Sequence, residues 1–319
     1  RGITSRLDYI EKLGVDAVWI SPFFLSPAGY EGDGGYAVSN YREIDPRFGT
    51  MADFDELLTH AHARGLKIYT DFVLPHTSSH HEWFQKSQRR EAGFEDFYIW
   101  HNGKTDGSVV GEGGKQRPGL PNNWLSIFGG PAWEWHEGRR QYYLHHFLTA
   151  QPALNLREKA VQDASLAEMK FWLDKGVDGF RIDALPHIGC DVEFRDDRLL
   201  KPDHPPAEPR WTDLFAEYSF CPDFIHDLVR RIRELMRSYE KPRFTLGEVL
   251  SGREGGSNSL PIAASFIGED QLDYCYTNEL VSLTSFPSPH HIVEMVSRIN
   301  KFFPSWGGNC NTASNHDVA

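Results

Sequence analysis

Apolar positions along the chain follow two spacings, one typical of helices and the other of buried strands. The first helical face carries Ile3, Leu7, Ile10 and Leu13. Gly14 follows this face as a helix stop, and the apolar run 15–22 then ends at a proline, which predicts a buried strand. A capping box at Thr50 and Asp53 predicts a second helix, which Gly65 ends.

Strand and helix signals keep alternating along the rest of the chain. Further strand candidates are the apolar runs 67–74, 179–183, 244–248, 272–277 and 309–314, of which the last two are weaker. Helical stripes precede the second and third of these runs, at residues 161–173 and 224–236. This alternation predicts an α/β fold with a parallel sheet. This length of strand–helix alternation favours an incomplete (β/α)8 TIM barrel of about six strands over a doubly wound sheet. No GxGxxG motif follows the early strands, which lowers the doubly wound alternative.

Two segments interrupt the alternation. Residues 76–150 are rich in Gly, Trp, His and Pro, show no long helical stripe and are too long for an ordinary strand-to-helix loop. They predict a small inserted domain between a first barrel part, 1–75, and a second, 151–319. A polar, proline-bearing excursion covers about 186–222. Because both segments follow strands that end in candidate site residues, we expect them to wall one pocket.

Composition and net charge limit the classes of binding partner that the chain can be expected to have. The 319-residue chain is 40% hydrophobic and 13% aromatic, enough for a sizeable core, and its formal net charge is -12. With no long basic run and no apolar stretch of membrane-spanning length, nucleic acid and membranes are poor partners. A neutral polar substrate fits this charge and the many aromatic faces. Cys190, Cys221, Cys275 and Cys310 show no CxxC spacing, which favours free thiols and a reducing compartment.

Acidic or histidine residues stand at the ends of four strand candidates. Asp183 and Glu248 each end a short apolar run, and the segments 71–76 and 315–317 carry similar groups. The carboxyl ends of parallel strands meet at one edge, so these groups should converge there. Two carboxylates about 5 Å apart can cleave a glycosidic bond with retention of configuration. Arg181 lies on the same strand face as Asp183 and can keep it ionised, although a purely structural Arg–Asp pair is the alternative.

Five stretches resemble the α-amylase family, glycoside hydrolase family 13. They are residues 71–76 (DFVLPH), 151–155 (QPALN), 179–183 (GFRID), 247–249 (GEV) and 314–317 (SNHD). They occur in family order, on the expected strands, and the similarity covers essentially the whole chain. The resemblance implies that an opening barrel strand precedes Arg1, that the insertion follows the third strand as a domain B, and that a C-terminal part follows Ala319.

The resemblance also implies a role for each matched residue. Asp183 would be the nucleophile, Glu248 the general acid/base, and Asp317 would hold two ring hydroxyls and strain the sugar. The other substrate contacts would come from Asp33, Tyr36, His76, Arg181 and His316. Supporting positions would be Asp71, Ala184 and Asn315. The alternative for the Asp33–Gly34–Gly35 sequence is an ordinary turn.

Within the family, the chain is most similar to exo-acting α-glucosidases of the oligo-1,6-glucosidase type, through stretches such as 122–126 (NNWLS) and 141–145 (QYYLH). This implies removal of terminal α-linked glucose from short oligosaccharides, with transglucosylation. The resemblance also implies a preference for α-1,4 bonds, because in relatives a small residue or Thr at the position of Ala184 goes with these bonds and Val with α-1,6 bonds. Pro75 and Ala153 depart from the family's usual Asn and Asp. A sucrose-directed or isomerising relative, of the sucrose hydrolase or trehalose synthase type, and an inactive binding barrel or transporter subunit remain alternatives.

The remaining expectations concern cofactors, location and assembly. No cofactor is required, although the resemblance allows a structural Ca or Mg in a loop that would precede Arg1. His80, His81 and Glu82 match no metal-ligand spacing, so we expect a solvated loop there. We expect a bacterial-type cytoplasmic protein, a monomer or a small homo-oligomer, that acts on small oligosaccharides.

Overall fold

The computed structural model describes residues 1–111, 116–220, 224–254, 257–277, 279, 288–305, 307–312 and 316. In these ranges the α-helices are α1 (Leu7–Lys12), α2 (Met51–Ala63), α3 (Glu82–Gln88), α4 (Lys159–Lys175), α5 (Ile225–Arg237), α6 (Leu260–Ser265) and α7 (Pro289–Ile299). The strands are β1 (Ala17–Ile20), β2 (Phe24–Leu25), β3 (Asn40–Ile44), β4 (Lys67–Phe72), β5 (Trp100–His101), β6 (Val109–Val110), β7 (Arg117–Pro118), β8 (Trp133–His136), β9 (Gln141–Leu144), β10 (Gly179–Ile182), β11 (Arg198–Leu199), β12 (Leu214–Phe215), β13 (Phe244–Val249), β14 (Tyr274–Thr277) and β15 (Asn309–Cys310).

One parallel sheet organises the described chain. Its strands run in the order β1-β4-β10-β13-β14-β15, and every neighbouring pair is parallel. The sheet curls into part of a barrel, which confirms the predicted incomplete (β/α)8 architecture. Because all strands point the same way, their carboxyl ends meet at one edge, and the groups that follow them are brought together.

The connecting helices form where their local signals predicted them. Thr50 and Asp53 exchange hydrogen bonds as a capping box at the start of α2. Gly176 ends α4 in the left-handed conformation, at φ 108°. Buried faces of α2, α4 and α5 pack on the sheet around Trp172, which is fully buried. The helices therefore fix the order and spacing of the strands beneath them.

The segment 76–150 has a different architecture. It contains α3, an antiparallel sheet of order β5-β9-β8 and the hairpin β6–β7. A small aromatic core around Trp124, Trp133 and Tyr142 supports it. That core also includes Ala153 and Cys190, so its apolar packing reaches beyond the segment. The division at 75/76 and 150/151 stays a prediction.

Hydrogen bonds join the two excursions predicted to wall a pocket. Asn123 Nδ2 donates to the Asp197 carbonyl oxygen at 2.7 Å, and Asp197 N donates back to Asn123 Oδ1 at 2.9 Å. Trp124 Nε1 donates to the Arg195 carbonyl at 2.9 Å. The insertion and the later excursion are thus held against each other.

Two further expectations concern helices and cysteines. Within the described ranges, no helix combines the length and the apolar character needed to cross a membrane. Cys190, Cys275 and Cys310 are free thiols, as predicted. Cys221 lies outside the described residues.

Candidate active site

A single buried guanidinium collects three carboxylates at the carboxyl edge of the sheet. Arg181, in β10, is 1% exposed. Its Nη1 contacts Asp71 Oδ1 at 2.7 Å and also Asp183 Oδ1. Its Nη2 lies 2.6 Å from Glu248 Oε1. Three negative groups therefore surround one positive group, which leaves an excess of negative charge in a buried place.

Strand register explains this convergence. Asp71 in β4 lies opposite Arg181 in β10, and Arg181 lies opposite Leu246 in β13. Asp183 and Glu248 each follow two residues later along their own strands, so both return to the same face. The tertiary fold thus brings two acids that are 65 positions apart in the chain to the two Nη groups of one arginine.

Tyr276 in β14 completes the contact between Arg181 and Glu248. Its hydroxyl accepts from Arg181 Nε at 3.0 Å and Nη2 at 2.7 Å, and donates to Glu248 Oε1 at 3.0 Å. Tyr276 lies opposite Glu248 in the sheet register. Tyr276 was not predicted as a site residue, because its only signal in the sequence was a tyrosine in the weak strand candidate 272–277.

Glu248 is also held from the Asp183 side of the site. Ala184 N donates to Glu248 Oε2 at 2.7 Å. Ala184 adopts the left-handed conformation, at φ 39°, which is strained for a residue with a Cβ. The turn directly after Asp183 therefore aims a backbone N–H at the second acid.

The opposite side of the cluster is lined by Trp19 and Tyr36. Asp71 Oδ2 accepts from Trp19 Nε1 and from the Tyr36 hydroxyl, each at 3.2 Å. His316 Nε2 lies 2.6 Å from the same hydroxyl, and its ring stacks parallel to the Tyr36 ring with centroids 5.7 Å apart. Trp19 was part of a predicted strand but was not recognised as a site residue. Asn315 and Asp317 lie outside the described residues.

Burial controls the charge state of the acids. It raises the pKa of Asp183 to about 6, although Arg181 acts in the opposite direction. It likewise raises the pKa of Asp71 to about 6 against the effect of Arg181. The sequence analysis expected Arg181 to keep Asp183 ionised at neutral pH. A pKa near 6 leaves Asp183 mostly ionised at neutral pH. The difference between that pH and the pKa is, however, smaller than it would be for an exposed aspartate.

His76 lies beside this cluster in a neutral form. It is 3% exposed, and burial lowers its pKa to about 4. Its Nε2 donates to the Tyr36 carbonyl oxygen at 3.1 Å, which leaves Nδ1 as the nitrogen with a free lone pair. A neutral His76 can therefore accept a hydrogen bond if its ring adjusts towards the pocket.

The Asp33 loop is both a turn and a part of the pocket rim. Asp33 has φ 45° and is followed by two glycines at positive φ. A Cβ on Gly35 would lie 2.7 Å from the Pro22 carbonyl oxygen, so this close approach needs glycine. The Asp33 carboxylate accepts from Gln151 Nε2 at 2.9 Å, and Gln151 is fully buried. The family stretch at 151–155 contained Gln151, but its role was not recognised.

A cavity of about 470 Å³ opens in front of these groups. Asp33, Tyr36, His76, Asp183 and Glu248 line it, together with Ala184 and His316. Apolar walls come from Phe128 and Phe147 of the insertion and from Pro186 and His187 of the later excursion. The insertion and the later excursion therefore both line the cavity, as predicted. Phe147 and His187 were not predicted as site residues. The volume lies in the range of small-molecule sites.

Outside the gaps named above, no group of three or more His, Cys, Asp or Glu residues is arranged to hold a metal ion. The expectation of a solvated loop at His81 was wrong. His81 is buried, and its Nδ1 accepts from Trp83 N at 3.1 Å to cap α3. A local helix cap thus explains this histidine.

The fold and the site together define a class of protein, a (β/α) barrel with an acidic site at the carboxyl edge of its sheet. The family model described as "Alpha amylase, catalytic domain" matches residues 1–289. The chain belongs to this α-amylase family.

Individual relatives agree with this assignment. A "Probable alpha-glucosidase" of Rhizobium meliloti (strain 1021) is 40% identical over 328 residues, covering 100% of this chain and 55% of the relative. The crystal structure of the α-glucosyl transfer enzyme XgtA matches with a TM-score of 0.86 and 40% identity, over 99% of this chain and 56% of that chain. The "Amino acid transporter heavy chain SLC3A1" of Rattus norvegicus is 36% identical over 93% of this chain and 42% of the relative. The chain spans about half the length of these relatives.

Proposed function

We propose that the protein is a retaining α-glucosidase that removes terminal α-linked glucose from short oligosaccharides. The observation that carries this proposal is the placement of Asp183 and Glu248 on the two Nη groups of Arg181, both facing one cavity. Paired carboxylates in one pocket are what retaining glycosidic cleavage requires. The α-glucosidase relative and the α-glucosyl transfer enzyme support the choice of an α-glucosyl substrate.

In the first step, an Asp183 carboxylate oxygen attacks the anomeric carbon and forms a glucosyl-enzyme ester. Glu248 gives its proton to the leaving oxygen as the glycosidic bond breaks. Glu248, now a carboxylate, then takes a proton from the incoming hydroxyl, whose oxygen displaces Asp183. Water as acceptor gives hydrolysis, and a sugar hydroxyl gives transglucosylation. We propose both outcomes, and the reaction needs no cofactor.

The surrounding contacts suit these roles. Arg181 touches both acids, so it holds them in fixed relation while the charge moves from one to the other. Tyr276 and the Ala184 N–H hold opposite oxygens of Glu248. In the proposed complex, Asp33 binds terminal hydroxyls, Tyr36 stacks under the ring, and Asp317, His76 and His316 contact its hydroxyls.

The direct test replaces Asp183 by Asn in the full-length protein. Hydrolysis of a nitrophenyl α-glucoside should fall by about 10⁴-fold or more, because the nucleophile is lost. Asp178→Asn is a matched control, since Asp178 is equally buried but lies at the other edge of the sheet. Asp183→Asn protein that is folded and fully active would remove Asp183 from its role.

A product panel decides between the proposed activity and its relatives. Maltose, isomaltose, sucrose and trehalose are incubated with the protein, and product anomers are followed by NMR. Early α-glucose supports retention, whereas early β-glucose contradicts it. We propose a preference for α-1,4 bonds because the residue after Asp183, Ala184, has a small side chain and its N–H contacts Glu248. Ala184→Val should therefore lower the maltose-to-isomaltose rate ratio.

The similarity to a transporter heavy chain keeps a non-enzymatic role as the second candidate. The paired acids at 183 and 248 argue against it, because a binding barrel has no need of two buried carboxylates on one arginine. No turnover of any sugar in the panel by a folded, full-length protein would favour this alternative. We also propose a cytoplasmic location, supported by free thiols, and a monomer or small homo-oligomer.

A further inference from the structure

A second cavity lies away from the proposed active site. Its volume is about 180 Å³, and it is enclosed by β5, β9, the segment 155–157 and the segment 188–194. None of the residues lining it also lines the active-site cavity. Its wall combines two arginines, Arg139 and Arg157, with the amide side chains of Gln141 and Asn155.

Arg139 is a buried cation without a counter-ion. It is 5% exposed, and no carboxylate lies within 4.0 Å of it among the described residues. Nε donates to Gln141 Oε1 at 2.6 Å, Nη1 donates to the Ser87 carbonyl oxygen, and the guanidinium lies 4.3 Å from the Trp100 ring centroid. All these partners are neutral. An unpaired buried charge is costly, so this arrangement favours the arrival of an anion.

One nitrogen of Arg139 is left for such an anion. Nη2 makes no hydrogen bond with the described residues, and it is not sealed from solvent. Burial, followed by the nearby positive charge of Arg90, lowers the pKa of Arg139 to about 10. The protein surroundings alone therefore stabilise this guanidinium poorly.

Arg157 and the start of α5 add positive potential from the other side. Arg157 donates through Nη2 to the Cys190 carbonyl at 3.1 Å and lies over the Phe224 ring at 4.4 Å, again without an ion pair in the described ranges. Phe224 lines the cavity and directly precedes α5, whose N-terminal end favours anions. The Asn155 side chain supplies a further N–H₂ group.

The negative groups near the cavity do not cancel this charge. Asp96 lines it at an exposed position and forms no ion pair with either arginine. Asp96, followed by Glu95, acts to raise the pKa of Arg139, but the Glu95 carboxylate already accepts from Gly93 N at 2.7 Å. Among the described residues, neither guanidinium forms an ion pair, and the cavity has a size that suits a small dianion.

We propose that this cavity binds a small phosphate-type oxyanion, held by Arg139 and Arg157. Arginine matches phosphate geometry because its N–H groups form paired, charge-assisted hydrogen bonds. The anion would join the insertion, through Arg139, to the segment 155–157, through Arg157, which itself donates to the Cys190 carbonyl oxygen in the segment that follows β10. It would therefore stabilise the two excursions that wall the active-site cavity.

The test uses the full-length protein and inorganic phosphate, with sodium chloride at matched ionic strength as reference. Calorimetric titration should show one saturable site, and Tm should rise with phosphate and then level off. Saturating glucose, which occupies the proposed active site, should leave this binding in place. A parallel titration with glucose 6-phosphate distinguishes the free anion from a sugar phosphate as the tighter ligand.

Variants locate the site. Arg139→Gln and Arg157→Gln should each weaken phosphate binding about tenfold or more, because each removes a charge-assisted contact. Asp96→Asn should tighten it several-fold by removing a nearby negative charge. Arg140→Gln is the matched control, since Arg140 is the exposed neighbour of Arg139 and lines no part of the cavity.

Two results would overturn the proposal. One is the absence of saturable phosphate binding to folded wild-type protein. The other is an equal loss of affinity in Arg140→Gln and Arg157→Gln, which would show general charge screening. Because Arg157 is exposed, its replacement remains informative if Arg139→Gln fails to fold.

Discussion

At the carboxyl edge of the sheet three carboxylates contact one guanidinium, whereas at the amino edge Asp178 and Asp273 each have several donors. Asp178, just before β10, accepts from Ile68 N at 2.9 Å, from His62 Nε2 at 2.7 Å and from Lys67 Nζ at 3.3 Å. Asp273, just before β14, accepts from Thr245 N at 2.9 Å and from Arg233 at 2.6 Å. The same residue types thus occur at both ends of the strands, in opposite proportions.

The difference separates a structural role from a chemical one. Several donors around Asp178 and Asp273 satisfy the carboxylate oxygens and tie neighbouring strands together. Around Arg181, burial first and the neighbouring carboxylates second raise the cost of ionisation, as the raised pKa values of Asp71 and Asp183 show. Groups with such shifted pKa values concentrate at functional sites. Changes at the two edges should therefore affect different properties.

The largest effect is expected from Arg181→Gln. It leaves three buried carboxylates without a cation, which should lower the free energy of unfolding by about 3–5 kcal/mol. The value of kcat/KM should fall by about 10³-fold or more, because both proposed acids lose their common partner. Urea denaturation and initial rates measure the two effects.

Arg233→Gln is the control for Arg181→Gln. It removes the arginine of an ion pair at the amino edge, where Thr245 still serves Asp273. Its kcat/KM should stay within about threefold of wild type, since a partly exposed ion pair contributes little to stability and this pair lies at the other edge of the sheet from the proposed site. Comparable losses of activity in Arg181→Gln and Arg233→Gln would contradict the proposed difference between the two edges of the sheet.

The next effect in size is expected from Asp178→Asn. Loss of the charge that accepts from His62, Lys67 and Ile68 N should lower the free energy of unfolding by about 2–3 kcal/mol. The kcat of the folded fraction should remain unchanged, because the site lies at the other end of the strands. A tenfold fall in kcat under conditions where the protein stays folded would contradict this view.

Tyr276→Phe tests the role of one hydroxyl group and is compared with a second substitution in the same strand, β14. It removes the hydroxyl between Arg181 and Glu248, so kcat/KM should fall by about 10- to 100-fold. Tyr274→Phe is its control, because Tyr274 is exposed and lies two residues earlier in β14. Equal rates for the two variants would exclude a role for the Tyr276 hydroxyl in orienting Glu248.

The smallest effect concerns pH. Since the proposed nucleophile Asp183 has to be ionised to react, kcat/KM should rise with pH through an acid limb near 6, about tenfold per unit below it. For stability the sign is opposite. A folded-state pKa raised above the unfolded value makes the contribution of Asp183 most favourable below about 4, and this is lost as pH rises through 6.

The measurement for this pH effect is a rate profile combined with unfolding of wild type and Asp183→Asn from pH 4 to 8. The stability of wild type should fall relative to Asp183→Asn as pH rises. An acid limb below pH 5 would show that Arg181, rather than burial, dominates the charge state of Asp183.

Sequence patterns predicted the elements that matter most, because their signals are local. The capping box at Thr50, the helix stop at Gly176 and the apolar run before Asp183 each act within a few residues. The acids at strand ends followed from the same reasoning, since parallel strands have one carboxyl edge. Tyr276 and Gln151 escaped it, because their roles depend on which residue lies opposite in another strand or loop.

By itself, the sequence determined the order of strands and helices, the family, and the acidic residues at the strand ends. Only the tertiary structure decided that Arg181 contacts three carboxylates at once, that burial outweighs Arg181 in setting the pKa of Asp183, and that Arg139 has no counter-ion among the described residues. The physical reason is the separation along the chain over which each kind of interaction acts. Hydrophobic spacing and capping act between near neighbours in the chain, whereas desolvation and charge pairing depend on every group that folding brings close.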